Sequence, residues 1–305
     1  MWLILAFLSA ALLGCYDSFK KQALKANAVI PVLFLNTLFS SLIFLPFIIL
    51  SALTDSLDGS VFHVASGGWE VHKYVLLKAL IVLSSWILGY FGMKHLPLTI
   101  VGPINATRPV MVLVGALLVF GERLNGWQWI GVLLAIISFL MLSHSGKKEG
   151  IDFKHDHWIW MIVGAAALGA LSGLYDKYLM APAESGGVGL DRMLVQSWYN
   201  IYQCAMMLAM LMLLWWPKHH ETTPFHWHWS IIGVSAFLST ADFMYFYSLS
   251  LPDAMISIVS MIRRGSVIVS FLFGAAFFHE KNLKAKAFDL ALVLLGMLFL
   301  YIGSK

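Results

Sequence analysis

The sequence predicts an all-α polytopic membrane protein, ten transmembrane helices arranged as two inverted five-helix repeats, and three observations carry that expectation. Sixty per cent of the 305 residues are hydrophobic and 12% are charged, about half the charged share of a soluble domain. The apolar residues fall in repeated runs near the roughly 20 residues that a bilayer crossing needs, without the one-sided face of a soluble helix. One string is also written twice, as Gly14-Cys15-Tyr16-Asp17 and as Gly173-Leu174-Tyr175-Asp176.

The first repeat occupies 1–150. Its first run, 2–22, holds Gly14 to Asp17 near its end; no basic residue precedes it, so it reads as a retained helix rather than a cleaved leader. The second, 29–51, contains Asn36 and stops before the turn residues Asp55 to Gly59. The third, 74–95, carries Trp86 and Tyr90-Phe91 and is closed by Leu96-Pro97. The fourth, 98–120, carries Asn105 and Arg108 and ends at Gly121-Glu122-Arg123, and the fifth is 125–143.

The polar connector Ser145 to Gly150 leads to the second repeat, 151–305. Its runs are 158–180, with Tyr175 and Asp176; 193–216, with Asn200; 229–250, with Asp242 and Tyr245-Phe246; 254–278, with Arg263 and Arg264; and 285–302. Lipid offers no hydrogen bonds, so the backbone must bond internally; helices do so, and the residue-by-residue alternation of barrel strands is absent.

The recurrence extends in order along the chain: Asn36 with Asn200, Tyr90-Phe91 with Tyr245-Phe246, Leu96-Pro97 with Leu251-Pro252, and Arg108 with Arg263. Five crossings per copy force the second copy to enter from the opposite face. Inverted copies place a binding site near the bilayer midplane, the arrangement of secondary transporters.

Arg108 and Arg263 each follow their Leu-Pro by eleven residues, roughly 16 Å into a hydrocarbon core about 30 Å thick. A charge at that depth faces a cavity or a partner. One reading has the pair, with Arg264, grip a carboxylate or phosphate through bidentate hydrogen bonds; the other has an arginine paired internally, most simply with Asp242. Asp17 has Lys20 and Lys21 three and four residues on, so a local helix pair accounts for it. Asp176 has no such neighbour. Asp176, Asp17 and Asp242 are the carboxylates that could carry a proton, or serve internal pairs. Tyr16, Tyr175, Trp86, Tyr90 and Tyr245 could line an apolar cavity or anchor helix ends at the interface, and Asn36, Asn105 and Asn200 could bond substrate or neighbouring helices.

Cys15 and Cys204 lie inside apolar runs and make neither a disulfide framework nor a thiolate metal site. The loop histidines, among them His155, His157, His226 and His228, lack a glutamate at helical metal spacing, so no metal and no cofactor is expected. The net charge of +4 comes from lysines between apolar runs, the pattern of lipid headgroup contact rather than of nucleic-acid binding. The expected partners are a small-molecule substrate, the bilayer and protons, with the chain a monomer or homodimer.

The segment from Leu96-Pro97 through Pro109 to Gly121-Glu122-Arg123-Leu124, followed by the run from Trp127, resembles the EamA type of the drug/metabolite transporter superfamily. The second half repeats it from Leu251-Pro252 to His279-Glu280-Lys281, without a proline near Arg263 and with His279 in the glycine position. Lys21 matches the family's lysine seven residues after the first-helix glycine, whereas Asn36 stands where a basic residue is common. The resemblance implies a multi-pass transporter of the bacterial inner membrane, with a small polar metabolite such as an amino acid or organic anion leaving by alternating access. An exchange carrier for phosphorylated or sugar-like metabolites is the alternative of the same class. A lipid-modifying enzyme using interfacial histidines is the alternative of another class, and it leaves the doubled deep arginines unexplained.

Orientation is contested by two signals. Lys20, Lys21, Lys25, Lys94, Lys147, Lys148, Lys154, Lys218, Lys281, Lys284 and Lys286 follow odd-numbered runs, against Lys73, Lys78, Arg123, Arg192 and Lys305 on the other side. That bias puts the termini outside, while the resemblance implies cytoplasmic termini.

Overall fold

The computed structural model describes residues 2–108, 110–111, 125–147, 155–180, 186–250, 259, 262–263, 265–277 and 283–303. Among these residues there are ten α-helices and no strand: α1 (Trp2–Leu24), α2 (Val29–Leu53), α3 (Trp69–His95), α4 (Leu98–Ala106), α5 (Gly126–Lys147), α6 (His157–Met180), α7 (Arg192–Met210), α8 (Ser230–Ser250), α9 (Ser266–Phe277) and α10 (Leu283–Gly303). The turns at Glu122 and Glu280, the pair Leu251-Pro252, and Arg264 lie outside the described residues.

Among the described residues, five helices are long and apolar enough to cross a membrane: α1, α2, α3, α6, and α7 with its continuation to Lys218. Shorter apolar stretches run over Gly126–Ser138 in α5, Ser266–Phe277 in α9 and Ala287–Gly303 in α10. The expected ten crossings thus appear at full strength in five. α8 falls outside that group because its apolar run is broken by Ser235, Ser239, Thr240 and Asp242. α4 stops at Ala106, where Thr107 takes up a turn conformation after Pro103. α9 begins only after Gly265, whose amide bonds back to the Ile262 carbonyl at 2.9 Å.

Long apolar segments give most of the remaining helices directly, and their ends have local causes. The Asp191 carboxylate caps α7 by accepting from the Leu194 amide at 2.8 Å, satisfying a donor the helix cannot. Pro97 starts α4, where a missing N–H does no harm. α7 closes with a π turn over Leu211–Trp215 and a 3-10 turn over Trp216–Lys218, which holds Pro217. Large side chains such as Leu213 (75% exposed) project outward along these helices, as a lipid-facing surface requires.

The helices pair across the chain. α1 lies against α8 and α3 against α6; α2 packs on α7, α4 on α9 and α5 on α10. Small residues allow close approach: a Cβ on Gly233 of α8 would stand 2.5 Å from the Phe19 ring of α1, and one on Gly92 of α3 would stand 2.6 Å from the Ile162 side chain of α6. Three apolar clusters result among the described residues, a small one of Val267, Phe271, Leu290 and Met297 between α9 and α10 and two larger ones. One of the larger two gathers Leu24, Leu33, Met93, Leu96, Ile162 and Val234 near the α1–α2 turn. The other gathers Ala6, Phe44, Ala79, Leu179, Leu194 and Phe246 near the start of α1. Polar groups are concentrated between them.

Candidate functional site

A cavity of about 160 Å³ lies between the two larger apolar clusters, bounded by α1, α3, α4, α6, α7, α8 and the approach to α9. Its charged side chains are Asp17 and Lys20 on α1, Lys78 on α3, Arg108 just beyond α4, Asp176 on α6, Asp242 on α8, and Arg263 before α9. Both arginines stand beside a break in a helix, after Thr107 in one half and before Gly265 in the other. Interrupted helices bring polar backbone and side chains to a cavity at membrane depth, where a continuous helix would bond all its own groups.

Three of the four cations are matched to three carboxylates. Lys20 donates to Asp17 at 2.9 Å within α1, Lys78 of α3 pairs with Asp176 of α6, and Arg263 pairs with Asp242 of α8. The second oxygen of Asp242 accepts from the Tyr199 hydroxyl at 2.9 Å, and that of Asp17 from Ser270 at 3.2 Å. Aromatic rings complete the seats of the cations. Lys20 lies 4.3 Å from the Tyr16 ring centre and 5.2 Å from that of Tyr90; Lys78 lies 5.1 Å from Tyr199; Arg263 lies 4.2 Å from Tyr245. Such contacts stabilise desolvated cations by about 2 kcal/mol each.

Arg108 is the exception. Its Nη2 donates to the amide oxygen of Asn105 at 3.0 Å, its Nε is buried without an acceptor, and it has no ion-pair partner among the described residues. Gly169 of α6 gives the guanidinium its place, since a Cβ there would lie 2.8 Å from Cζ. The cavity therefore holds one positive charge beyond those its carboxylates balance, on the residue type best shaped to grip a planar anion.

Of the residues singled out in the sequence, Tyr16, Asp17, Trp86, Tyr90, Asn105, Arg108, Asp176, Asp242, Tyr245 and Arg263 line the cavity. Asn36 is buried between α2 and α8, where its Oδ1 accepts from Ser235 at 3.2 Å. Asn200 donates to the Gln196 carbonyl at 2.8 Å. Tyr175 donates to the Tyr74 carbonyl at 3.3 Å and packs with Tyr178, away from the cavity. Tyr199, an aromatic candidate for the cavity from the sequence, lines it too, and Lys20 and Lys78 join it although the sequence does not mark them as site residues. Lys78, counted with the charges that set orientation, lies nine residues into α3 and is 3% exposed. The signal for it was present, a lysine inside the apolar run 74–95 that needs a buried acid, and Asp176 was the acid without a local partner. Lys20 and Lys21 are likewise helical, Lys21 donating to the Met93 carbonyl at 2.7 Å, so they leave the tally of loop charges. His95, at the end of α3, stacks on Trp158 with ring centres 3.6 Å apart, and His157, read from the sequence as a loop residue, begins α6 with its ring tilted against Trp158 at 4.1 Å.

A bundle of long apolar helices around a charged cavity is the architecture of a multi-pass membrane protein. Residues 1–144 match the model of the EamA-like transporter family, so this part of the chain is similar to EamA-type members of the drug/metabolite transporter superfamily. The members of that family are transporters rather than enzymes. A solved crystal structure, described only as that of a protein, superimposes with a TM-score of 0.64 over 99% of this chain and 96% of its own at 11% identity, a likeness of fold alone. No curated relative matches the chain.

Proposed function

We propose that the chain is a secondary transporter for a small organic anion or amino acid, whose carboxylate docks on Arg108, and that the two halves are inverted copies that exchange roles as the cavity opens to one face and then the other. The observation that carries the substrate reading is the unmatched Arg108. An isolated deep cation is expensive by about 2.5–3.5 kcal/mol even on the lenient insertion scale, and an incoming carboxylate offsets that penalty while filling the Nε that has no acceptor. The cavity, about 160 Å³, is well below the roughly 300–1,000 Å³ of sites for drug-sized ligands, so the cargo is a molecule of few heavy atoms.

The packing supports the exchange. If α1 to α5 correspond to α6 to α10, the pair α1–α8 becomes α6–α3, and α2–α8 becomes α7–α3; both members of each pair are in contact. The pairs α2–α7, α4–α9 and α5–α10 each map onto themselves. Paired interfaces of this kind would let the halves trade places between two related arrangements, which alternating access needs.

The test is counterflow of labelled amino acids and small organic acids in proteoliposomes holding wild type, Arg108→Ala or Arg108→Lys. Wild type should exchange at least one anionic probe, Arg108→Ala should lower that rate at least tenfold, and Arg108→Lys should recover part of it. Unchanged exchange in a folded Arg108→Ala protein would sink the binding role.

A further inference from the structure

Behind the cavity, α2, α7 and α8 meet along a seam that is polar although deeply buried. Ser40 on α2, Gln196 and Gln203 on α7, and Ser235 on α8 are each at most 1% exposed. The α7 residues Gln196, Asn200 and Gln203 are spaced i, i+4, i+7, as are Ser235, Ser239 and Asp242 on α8. Each set is therefore a stripe on one helix face, about 10 Å long.

Some bonds along the seam are made between protein groups. Ser235 donates to Asn36 at 3.2 Å, Ser239 to Ser40 at 3.2 Å, and the Gln196 amide to the Ser239 carbonyl at 3.3 Å. Five atoms have no partner among the described residues: Asn36 Nδ2, Gln196 Oε1, Ser197 Oγ, and both Nε2 and Oε1 of Gln203. Buried polar atoms in native proteins are satisfied by protein or by ordered water. These five mix donors with acceptors. A metal cation would satisfy the carbonyl oxygens and repel the NH₂ groups, whereas water serves both.

The seam connects two places. At one end is Asp242, with the Tyr199 hydroxyl between the α7 stripe and its carboxylate. Toward the other end α8 begins at buried Ser230, whose hydroxyl lies 2.8 Å from Nδ1 of exposed His228. We infer that the seam is a second binding site, for a file of water molecules, and that it carries a proton between Asp242 and the membrane face bearing His228. Resting on the reading of the cavity as an anion-transport site, the inference also names the coupling. An anion that docks beside Arg108 competes with Asp242 for Arg263, and the released carboxylate takes a proton from the nearest water as that water receives one from the next. One O–H bond forms at Asp242, one proton leaves the bulk at the far end, and anion and proton occupy the protein together. The groups that set the field at Asp242 are Arg263, Tyr199, Tyr16 on α1, Lys78 on α3, Asp176 on α6 and Arg108, all on the same cavity.

Proteoliposomes with a trapped pH-sensitive dye test this, using labelled amino acids and small organic acids as probes beside the counterflow assay. Wild type should acidify or alkalise the lumen with anion movement, and Asp242→Asn should abolish that proton movement. Gln203→Leu and Ser235→Ala, which make the seam apolar away from the cavity, should slow proton movement at least tenfold and leave counterflow within about twofold; Gln203→Ser, small and polar, should restore it. Proton movement unchanged in Gln203→Leu, surviving in Asp242→Asn, or absent from wild type overturns the file. In each of those cases Arg108-dependent counterflow would remain, whereas its absence from wild type would strike the transport reading instead.

Discussion

At the scale of single residues, the doubled string shows how far identity of sequence reaches. Gly14 and Gly173 hold the same place in it, yet they do different work. A Cβ on Gly14 would stand 2.4 Å from Cβ of Val269 and 2.8 Å from the Ser266 carbonyl, both fixed parts of α9; a Cβ on Gly173 would meet nothing within 4 Å. Gly14→Ala should therefore destabilise the protein by about 1–3 kcal/mol, the usual effect of overpacking, while Gly173→Ala should leave it unchanged or slightly more stable. Thermal unfolding in detergent checks both; equal shifts would mean that the helices are not this close at Gly14. Gly169 gives a third outcome. Its added methyl would press on the flexible guanidinium of Arg108, so Gly169→Ala should keep the melting temperature within a degree or two and raise KM for an anionic probe several-fold. Sequence could show that these glycines recur, but which neighbour each one admits is decided by packing alone.

At the scale of elements, apolar length was legible and interruption was not. Runs of the right length gave α1, α2, α3, α6 and α7, because in lipid a helix is the one local solution for an isolated apolar segment. The same logic predicted a fourth helix over 98–120; there Thr107 forms a turn after α4 and the chain is helical again at Arg108, with 112–120 outside the described residues. The pairings were partly legible. Asp17–Lys20 follows from helical spacing, and Arg263–Asp242 was among the alternatives, but Lys78–Asp176 joins residues 98 apart on two helices and no local pattern announces it. That bridge makes an element-scale prediction. Lys78→Met should destabilise the contact of α3 with α6 by about 3 kcal/mol, because it leaves Asp176 buried without its cation, whereas Lys78→Met with Asp176→Leu should recover most of the loss. A double-mutant cycle on thermal unfolding measures the coupling. Additive losses would show that the two side chains do not depend on one another.

At the scale of the whole molecule, the two larger apolar clusters hold a charged layer between them. The cluster at the α1–α2 turn joins the ends of α1 and α3 to the beginnings of α6 and α8; the other joins the opposite ends of the same helices. If the cavity opens to one face and then the other as proposed, one cluster parts at a time, because parting both at once would expose two cores. If the halves exchange roles as proposed, the α3–α6 contact at Gly92 and Ile162 must loosen in every cycle. The two positions touch: a Cβ on Gly92 falls 2.6 Å from the Ile162 side chain, and replacing that side chain by a smaller one removes the clash. Gly92→Cys with Ile162→Cys, in a background with Cys15→Ala and Cys204→Ala, should therefore oxidise to a disulfide that pins this end shut. Counterflow should fall to background on oxidation and return on reduction, while binding of an anionic probe from the other face persists. The distinction matters because a distorted protein loses binding and transport together, whereas a locked one loses only passage. Full counterflow in the oxidised protein would mean that the cargo does not pass between α3 and α6, and the exchange of halves would then have to be abandoned even with the Arg108 site intact.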